Sequence, residues 1–223
     1  MYLLDTSEEW NYIHDEDLWV YNKLFLNRIL RHLCGPTGVP VPYPGYYIVR
    51  PSINLLGMGR FSRIEWIERE TDHLHPAEFW CEIFKGEHIS VDYYKRKSNL
   101  VVIGERNDDN PFYKWNNWYK VDRQVQFPEV LNRIKGDYDW INCEFIDNHL
   151  IEVHFRRNPD FRYGNTVAIP VWKGDKIEKK SDLTFISDED YLREGFYIDT
   201  RDSNPVKSSD LTNQEQTNDQ KSR

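Results

Sequence analysis

The first periodic pattern along the chain is typical of a helix. After three acidic residues at positions 15–17, apolar residues recur at steps of three and four as far as Leu33. This spacing places side chains on one face of an α-helix. Acidic residues at the start and basic residues near the end suit the helix dipole, and Gly35 and Pro36 end the pattern. The sequence therefore predicts an amphipathic helix that ends before Gly35.

Most of the remaining apolar positions favour β-strands. They are rich in β-branched and aromatic residues and are bounded by glycine, proline, asparagine or aspartate. The predicted strands are 46–50, 64–67, 79–84, 88–94, 100–104, 140–146 and 150–155, and residues 167–172 form a further apolar stretch. Residues 95–99 and 147–148 predict hairpin turns. Residues 54–60 predict a loop with two glycines, 107–123 a long loop, and 127–135 a short helix.

The two ends of the chain differ from the middle. Residues 201–223 contain only two sizeable apolar side chains among serine, asparagine, glutamine, aspartate and lysine. Such a segment cannot offset its ordering entropy by burial, which predicts a disordered tail. Residues 1–14 are predicted to form a short arm, so one domain is expected over 15–200.

Composition and charge exclude several classes of function. The chain has 29 basic and 37 acidic residues, a net charge of -8, which argues against a nucleic-acid partner. No apolar run approaches the roughly 20 residues that a membrane span needs. Three cysteines without CxxC spacing suggest neither a disulfide framework nor a zinc site. These features predict a soluble cytoplasmic protein.

The strongest candidate site lies on the second predicted hairpin. Glu144 is on its first strand, and Glu152, His154 and Arg156 alternate along the next. Residues two apart on a strand share a face, so these groups can converge with Glu144 alongside. Carboxylates suit Mg²⁺, and an adjacent arginine can hold a phosphate. The alternative is an exposed strand face whose charges point to water.

Two further segments could contact a nucleotide. Arg50 ends a predicted strand and is followed by a loop with Gly57, Gly59 and Arg60, where backbone N–H groups could approach phosphates. In residues 80–88 an apolar strand and turn could receive adenine, with Glu87 or His88 near the ribose. The alternative for the loop after Arg50 is a plain turn, and the alternative for residues 80–88 is a structural hairpin.

Other motifs give weaker signals. His73 and His75 could bind a transition metal, but no cysteine or third histidine is near them in sequence, which favours an ordinary loop pair. The aromatic residues of 112–119 could stack on sugars or bases, although core or loop packing is the simpler interpretation. No GxSxG, Walker A or GxGxxG sequence occurs.

Taken in order, these segments resemble the ATP-grasp family of nucleotide-dependent ligases over about residues 15–172. After the helix come the motifs YYIVRP, NLLGMGR, FWCEIFKGEHISVDYY, VVIGER and CEFIDNHLIEVHFRRNPD. The resemblance implies an α+β fold of two lobes, built mainly of antiparallel sheets with few helices, that hold ATP between them.

The resemblance also implies roles for individual residues. Glu144 and Glu152 would bind Mg²⁺, with Mn²⁺ as the alternative metal, and His154 would take the place of the family's asparagine. Arg106 and Arg156 would act in catalysis, Arg156 at the arginine of the E-V-N-P-R pattern. The implied nucleotide contacts are Arg50, Gly57, Gly59, Arg60, Glu82, Ile83, Phe84, Glu87 and His88. Arg50 stands where the family has a phosphate-contacting lysine, so this substitution and His154 depart from the pattern.

The implied reaction transfers the γ-phosphoryl group of ATP to a carboxylate, and an amine or other nucleophile then attacks the acylphosphate. Proteins and peptides are among the candidates for the carboxylate-bearing substrate. The two departures leave a second hypothesis open, a non-catalytic nucleotide-binding or interaction module. A third is a carbohydrate- or protein-binding domain that uses the tryptophans and tyrosines.

Overall fold

The computed structural model describes residues 12–53, 59, 61–176, 180–188 and 192–199. Within them the strands form a four-stranded and an eight-stranded sheet, all strand pairs are antiparallel, and the helices are short. The expected fold class, α+β with two lobes of mainly antiparallel sheet, is therefore confirmed. The predicted tail, most of the predicted arm, Gly57 and Arg60 lie outside the described residues.

The two sheets take their strands from different parts of the chain. The small sheet has the order β1-β4-β2-β3 and the large sheet the order β11-β12-β10-β7-β6-β5-β8-β9. The strands are β1 (Cys34–Pro36), β2 (Gly45–Pro51), β3 (Arg63–Ile67), β4 (Glu78–Cys81), β5 (His88–Tyr94), β6 (Lys97–Glu105), β7 (Asn117–Lys120), β8 (Trp140–Ile146), β9 (His149–His154), β10 (Val167–Trp172), β11 (Thr184–Ser187) and β12 (Arg193–Ile198).

The helix predicted to continue to Gly35 is instead broken in two. A 3-10 helix covers Asp15–Tyr21, and an α-helix, α1, covers Lys23–Ile29. Asn22 between them is extended, and its side chain accepts a hydrogen bond from the backbone N–H of Phe25, so it caps a new helix. The chain then turns at Arg31, whose φ is 62°, and Cys34 begins a strand. The predicted length was therefore wrong.

Several strand boundaries also differ from prediction. Strands β5, β8 and β10 have the predicted bounds, whereas β4 ends at Cys81 and leaves residues 82–87 as a linker between the two sheets. The predicted loop 107–123 contains β7, and the predicted helix 127–135 is a 3-10 helix over Glu129–Arg133. Strands β11 and β12 have no counterpart in the prediction. Positive φ angles at Lys95, Arg96 and Asp147 confirm the two hairpin turns.

The two faces of the large sheet have different chemistry in the half formed by β5, β8 and β9. One face carries apolar side chains that pack against α1 and the 3-10 helices in the main core, among them Val91, Cys143 and Val153. The other face carries the polar residues His88, Ser90, Asp92, Asn142, Glu144, Glu152 and His154. In a half-buried sheet, polar residues on the second face point to solvent or to a site. Here several of them are buried.

The small sheet has its own core, formed by Val41, Tyr47, Val49, Ile67, Leu74 and Trp80. Its other face holds Arg50, Phe79 and Cys81, which are buried. Leu33 and Glu82 exchange hydrogen bonds where the chain enters and leaves this sheet. None of the helices among the described residues is long and apolar enough to cross a membrane.

Candidate active site

The candidate carboxylates lie together on the polar face of the large sheet. Glu144 of β8 is directly opposite Glu152 of β9, and Asn142 is opposite His154. Directly opposed residues have Cβ atoms about 5 Å apart and share a face. The register thus places Glu144, Glu152 and His154 side by side, as the spacing predicted.

Glu152 is held by a cation that sequence reasoning missed. The ammonium group of Lys23 lies 2.9 Å from one carboxylate oxygen, and the two side chains are only 9% and 13% exposed. His154 Nε2 lies 3.0 Å from the other oxygen. Burial alone would raise the pKa of Glu152, but Lys23 and His154 together hold it well below its usual value. Glu152 is therefore an ionised carboxylate in a largely buried site.

Lys23 could have been noticed in the sequence. It is the first residue of α1, where the helix dipole disfavours a positive charge. Such a residue needs another source of stabilisation, which Glu152 supplies. Its backbone N–H also donates to the carbonyl of Ser52, 2.7 Å away, so Lys23 links the end of β2 to the large sheet.

Glu144 has a different neighbour. Its carboxylate lies 3.1 Å from Nε2 of His88, and the imidazole ring packs edge-on against Trp115 and Trp118. Glu87, the other candidate near the ribose, instead forms an ion pair with Arg123. The structure therefore brings His88, but not Glu87, to the two candidate metal ligands.

Two carboxylates on one face suit Mg²⁺. Among the described residues no group of three or more His, Cys, Asp and Glu side chains could enclose a metal ion. Magnesium, however, is commonly held by only one or two carboxylates together with water and substrate phosphates. Glu144 and Glu152 fit this pattern once the side chains of Lys23 and His88, which contact them here, move away from the carboxylate oxygens.

Arg50 reaches this region from the small sheet. Its guanidinium is buried against the ring of Phe79, and Nη2 lies 3.5 Å from the carbonyl oxygen of Ile151. Ile151 is the extra residue of a bulge beside Glu152. Among the described residues Nε of Arg50 has no hydrogen-bond partner. A buried donor of this kind can bind an anion at little additional desolvation cost.

Gly59 and Arg106 both lie against Phe112. Gly59 has a φ of 65° and lies beside Phe112. The guanidinium of Arg106 stacks over Phe112 and Trp115, with its carbon 4.5 and 5.7 Å from the ring centroids. Burial lowers the pKa of Arg106. Trp115 contacts both Arg106 and His88, so Arg106 is connected to Glu144 through two side chains, Trp115 and His88.

The linker contributes an aromatic stack rather than an open base pocket. Phe84 is stacked on His149 with centroids 4.1 Å apart and packs edge-on against His32. The carboxylate of Glu82 accepts a hydrogen bond from the backbone N–H of Leu33. Ile83, which lies between Glu82 and Phe84 in sequence, is half-buried. An adenine entering here would have to replace or extend the Phe84–His149 stack.

A hydrogen-bonded network on the same sheet face supports the segment that carries Arg156. Oδ1 of Asp92 accepts from the backbone N–H of Asn158 and from the Asn142 amide, at 2.8 and 2.9 Å. Ser90 accepts from the same Asn142 amide. Burial raises the pKa of Asp92. Because Asn158 and His154 are both anchored, Arg156 lies between two fixed points, and its Nη1 donates to the carbonyl of Arg157 at 3.2 Å.

A cavity of about 880 Å³ does not coincide with this site. It lies on the apolar face of the sheet and is lined in part by Ile89, Phe145 and Glu87. We assign the chemistry to the polar face because the paired carboxylates lie there and Arg50 contacts the backbone of β9 beside Glu152.

The stability of this region should depend on pH through His32. Burial, and then His149, lower the pKa of His32, so the unfolded chain binds a proton at a higher pH than the folded protein does. The free energy of unfolding is therefore expected to fall as the pH drops below about 6.5. Urea unfolding at about pH 7.5 and about pH 5.5 measures this loss.

His32→Gln provides the comparison, because an amide can retain the contact that His32 Nδ1 makes with Asn27 Oδ1 at 2.9 Å. The variant should lose less stability than the wild type between these two pH values. An equal loss in both proteins would remove His32 as the source.

No protein-family model and no curated protein matches the chain. Among solved structures it is similar to an ATP-grasp superfamily protein from Archaeoglobus fulgidus, at 14% identity over 81% of this chain and 64% of that protein, with a TM-score of 0.49. It is also similar to L-amino acid ligase from Bacillus licheniformis, at 9% identity over 90% and 71% of the two chains, with a TM-score of 0.49.

A third similar structure is D-alanine–D-alanine ligase from Bacillus anthracis, at 12% identity over 61% of this chain and 56% of that chain, with a TM-score of 0.35. The Archaeoglobus protein is named as a member of the ATP-grasp superfamily, which is also the family that the sequence motifs of this chain resemble. Identities this low and TM-scores below 0.5 assign no activity and no site residue to this chain.

Proposed function

We propose that the protein binds ATP and Mg²⁺ and ligates a carboxylate-bearing substrate to an amine or another nucleophile. The observation that supports this most is the pairing of Glu144 with Glu152, together with the contact of the buried Arg50 with the backbone of β9 next to Glu152. Two carboxylates can hold a divalent cation, and an arginine with one N–H donor unpaired among the described residues can hold an anion, as a metal–triphosphate complex requires.

Each residue has a distinct task in the proposed reaction. Mg²⁺ bound by Glu144 and Glu152 would neutralise the β- and γ-phosphates. Arg50 and Lys23 would bind phosphate oxygens, and Arg106 and Arg156 would stabilise the charge of the transferring group. The substrate carboxylate oxygen attacks the γ-phosphorus, and ADP leaves. The nucleophile then attacks the carbonyl carbon of the acylphosphate, loses its proton and releases phosphate.

Each of the two carboxylates already contacts a nitrogen-bearing side chain, which supports a second candidate, a nucleotide-binding module without catalysis. Lys23 already pairs with Glu152, and the His88 ring already contacts Glu144. If neither side chain moves, a nucleotide could bind at Arg50 and the linker without a correctly placed metal. Turnover distinguishes this candidate from the ligase.

Hydroxylamine trapping tests the ligase directly. With ATP, Mg²⁺ and a mixture of amino acids and short peptides, the wild type should release ADP and form a hydroxamate from the trapped acylphosphate. Glu144→Gln should reduce both products by about a hundredfold or more, because a charged metal ligand is lost. Glu16→Gln, an exposed site on the first 3-10 helix, should not change them. ATP binding without hydroxamate would support the non-catalytic module.

A further inference from the structure

Strand β3 forms an open edge of the small sheet. It pairs with β2 on one side, and within the described residues no strand lies on its other side. An edge strand exposes backbone N–H and C=O groups that can pair with another extended chain. Natural edges are commonly blocked by charged or proline residues on the exposed strand, so the side chains of β3 decide whether this edge can be used.

Two of these side chains are large, apolar and exposed. Ile64 is 51% and Trp66 49% exposed, and the neighbouring Tyr46 of β2 is 63% exposed. The rings of Tyr46 and Trp66 meet edge-on at 5.0 Å. We call Tyr46, Ile64 and Trp66 the edge patch. Its three members share one face of the sheet, and contiguous exposed apolar surface of this kind marks interaction sites.

The edge patch is continuous with the wall of the candidate active site. On β2, Tyr46, Ile48 and Arg50 alternate along the same face. Their exposure falls from Tyr46 through the half-buried Ile48 to the buried Arg50. A chain bound along the edge patch would therefore lie at the outer end of the surface whose inner end carries Arg50.

The charge around the edge patch selects its occupant. Residues 63–72 contain four carboxylates and two arginines, and Glu68, Glu70 and Asp72 are exposed. Arg63 pairs with Glu65, and Arg69 lies 3.6 Å from Glu70. Glu68 also accepts a hydrogen bond from the indole N–H of Trp66 at 2.8 Å, which orients the ring. This charge repels nucleotide phosphates and attracts basic side chains.

We propose that β3 and the edge patch bind an extended, basic segment of a polypeptide, which adds to the small sheet as a fifth strand. Main-chain hydrogen bonds would supply affinity, apolar side chains would cover Ile64 and Trp66, and lysine or arginine would meet Glu68 and Glu70. The role of that polypeptide as the acceptor substrate depends on the proposed ligase function, whereas the binding itself does not.

Fluorescence anisotropy with a labelled peptide of alternating lysine and valine tests the inference. The wild type should bind this probe, and a matched peptide of alternating glutamate and valine should bind at least about tenfold more weakly. Trp66→Ser and the double variant Glu68→Gln/Glu70→Gln should each weaken the lysine probe about tenfold or more. Phe25→Ser, which alters an exposed apolar residue of α1, should bind it as the wild type does.

Three results would overturn the inference. They are no binding of the lysine probe to the wild type, equal binding in Trp66→Ser, and displacement of the probe by ATP with Mg²⁺. A wild-type dimer that Trp66→Ser converts to a monomer would show that the edge patch joins two copies of this chain instead. Because probe binding is measured without nucleotide, its failure leaves hydroxamate formation as an independent test of the ligase.

Discussion

Lys23→Met should lower the free energy of unfolding by about 3–5 kcal/mol, because it leaves the largely buried carboxylate of Glu152 without its ammonium partner. Methionine preserves the length and apolar stem of the side chain, so the loss reports mainly on charge. Urea unfolding monitored by tryptophan fluorescence measures the change. Arg28→Met, at an exposed position of the same helix, should stay within about 0.5 kcal/mol of the wild type.

The double variant Lys23→Met/Glu152→Gln tests the cause of this loss. Removing both charges removes the uncompensated carboxylate, so the double variant should recover most of the stability that Lys23→Met loses. If the double variant loses as much stability as the two single variants together, Lys23 and Glu152 act independently.

Asp17→Ala should cost about 3 kcal/mol or more, because it removes three hydrogen bonds to a buried carboxylate. Asp17 accepts from the backbone N–H groups of Lys135 and Gly136, both at 2.8 Å, and from the Tyr138 hydroxyl at 3.0 Å. Without it the buried N–H of Gly136 and the partly buried N–H of Lys135 lose their acceptor. Thermal and urea unfolding measure the effect.

Asp15→Ala provides the matched control, since Asp15 belongs to the same 3-10 helix but is exposed. It should change the free energy of unfolding by no more than about 0.5 kcal/mol. Equal losses in the two variants would mean that Asp17 contributes only as an acidic residue near the start of a helix, which is the role its sequence position suggests.

The second hairpin was predictable because its signal is local. Alternation along β9 and a short turn at Asp147 determine which side chains share a face with Glu144. A bulge at Ile151 shifts the start of the strand, but the pairing of Glu144 with Glu152 survives because both lie on the same side of it. The antiparallel pairing of the strands in both sheets likewise agrees with the expected fold class.

Residues brought in from distant parts of the chain were not predictable in this way. Lys23 meets Glu152 across more than a hundred positions, and Asp17 meets Gly136 across a similar separation. The stack of Phe84 on His149 likewise joins the linker to a hairpin turn. Periodicity describes neighbours along one element, and it carries no information about which loops meet when two sheets pack.

The most direct test of the account is isothermal titration of the wild type and Glu152→Gln with ATP, each with and without Mg²⁺. The account predicts that Mg²⁺ tightens ATP binding to the wild type by about tenfold or more, and that Glu152→Gln binds ATP but loses this dependence on metal. Binding that depends equally on Mg²⁺ in both proteins would place the metal elsewhere. The absence of ATP binding to the wild type, with or without Mg²⁺, would contradict the nucleotide site itself.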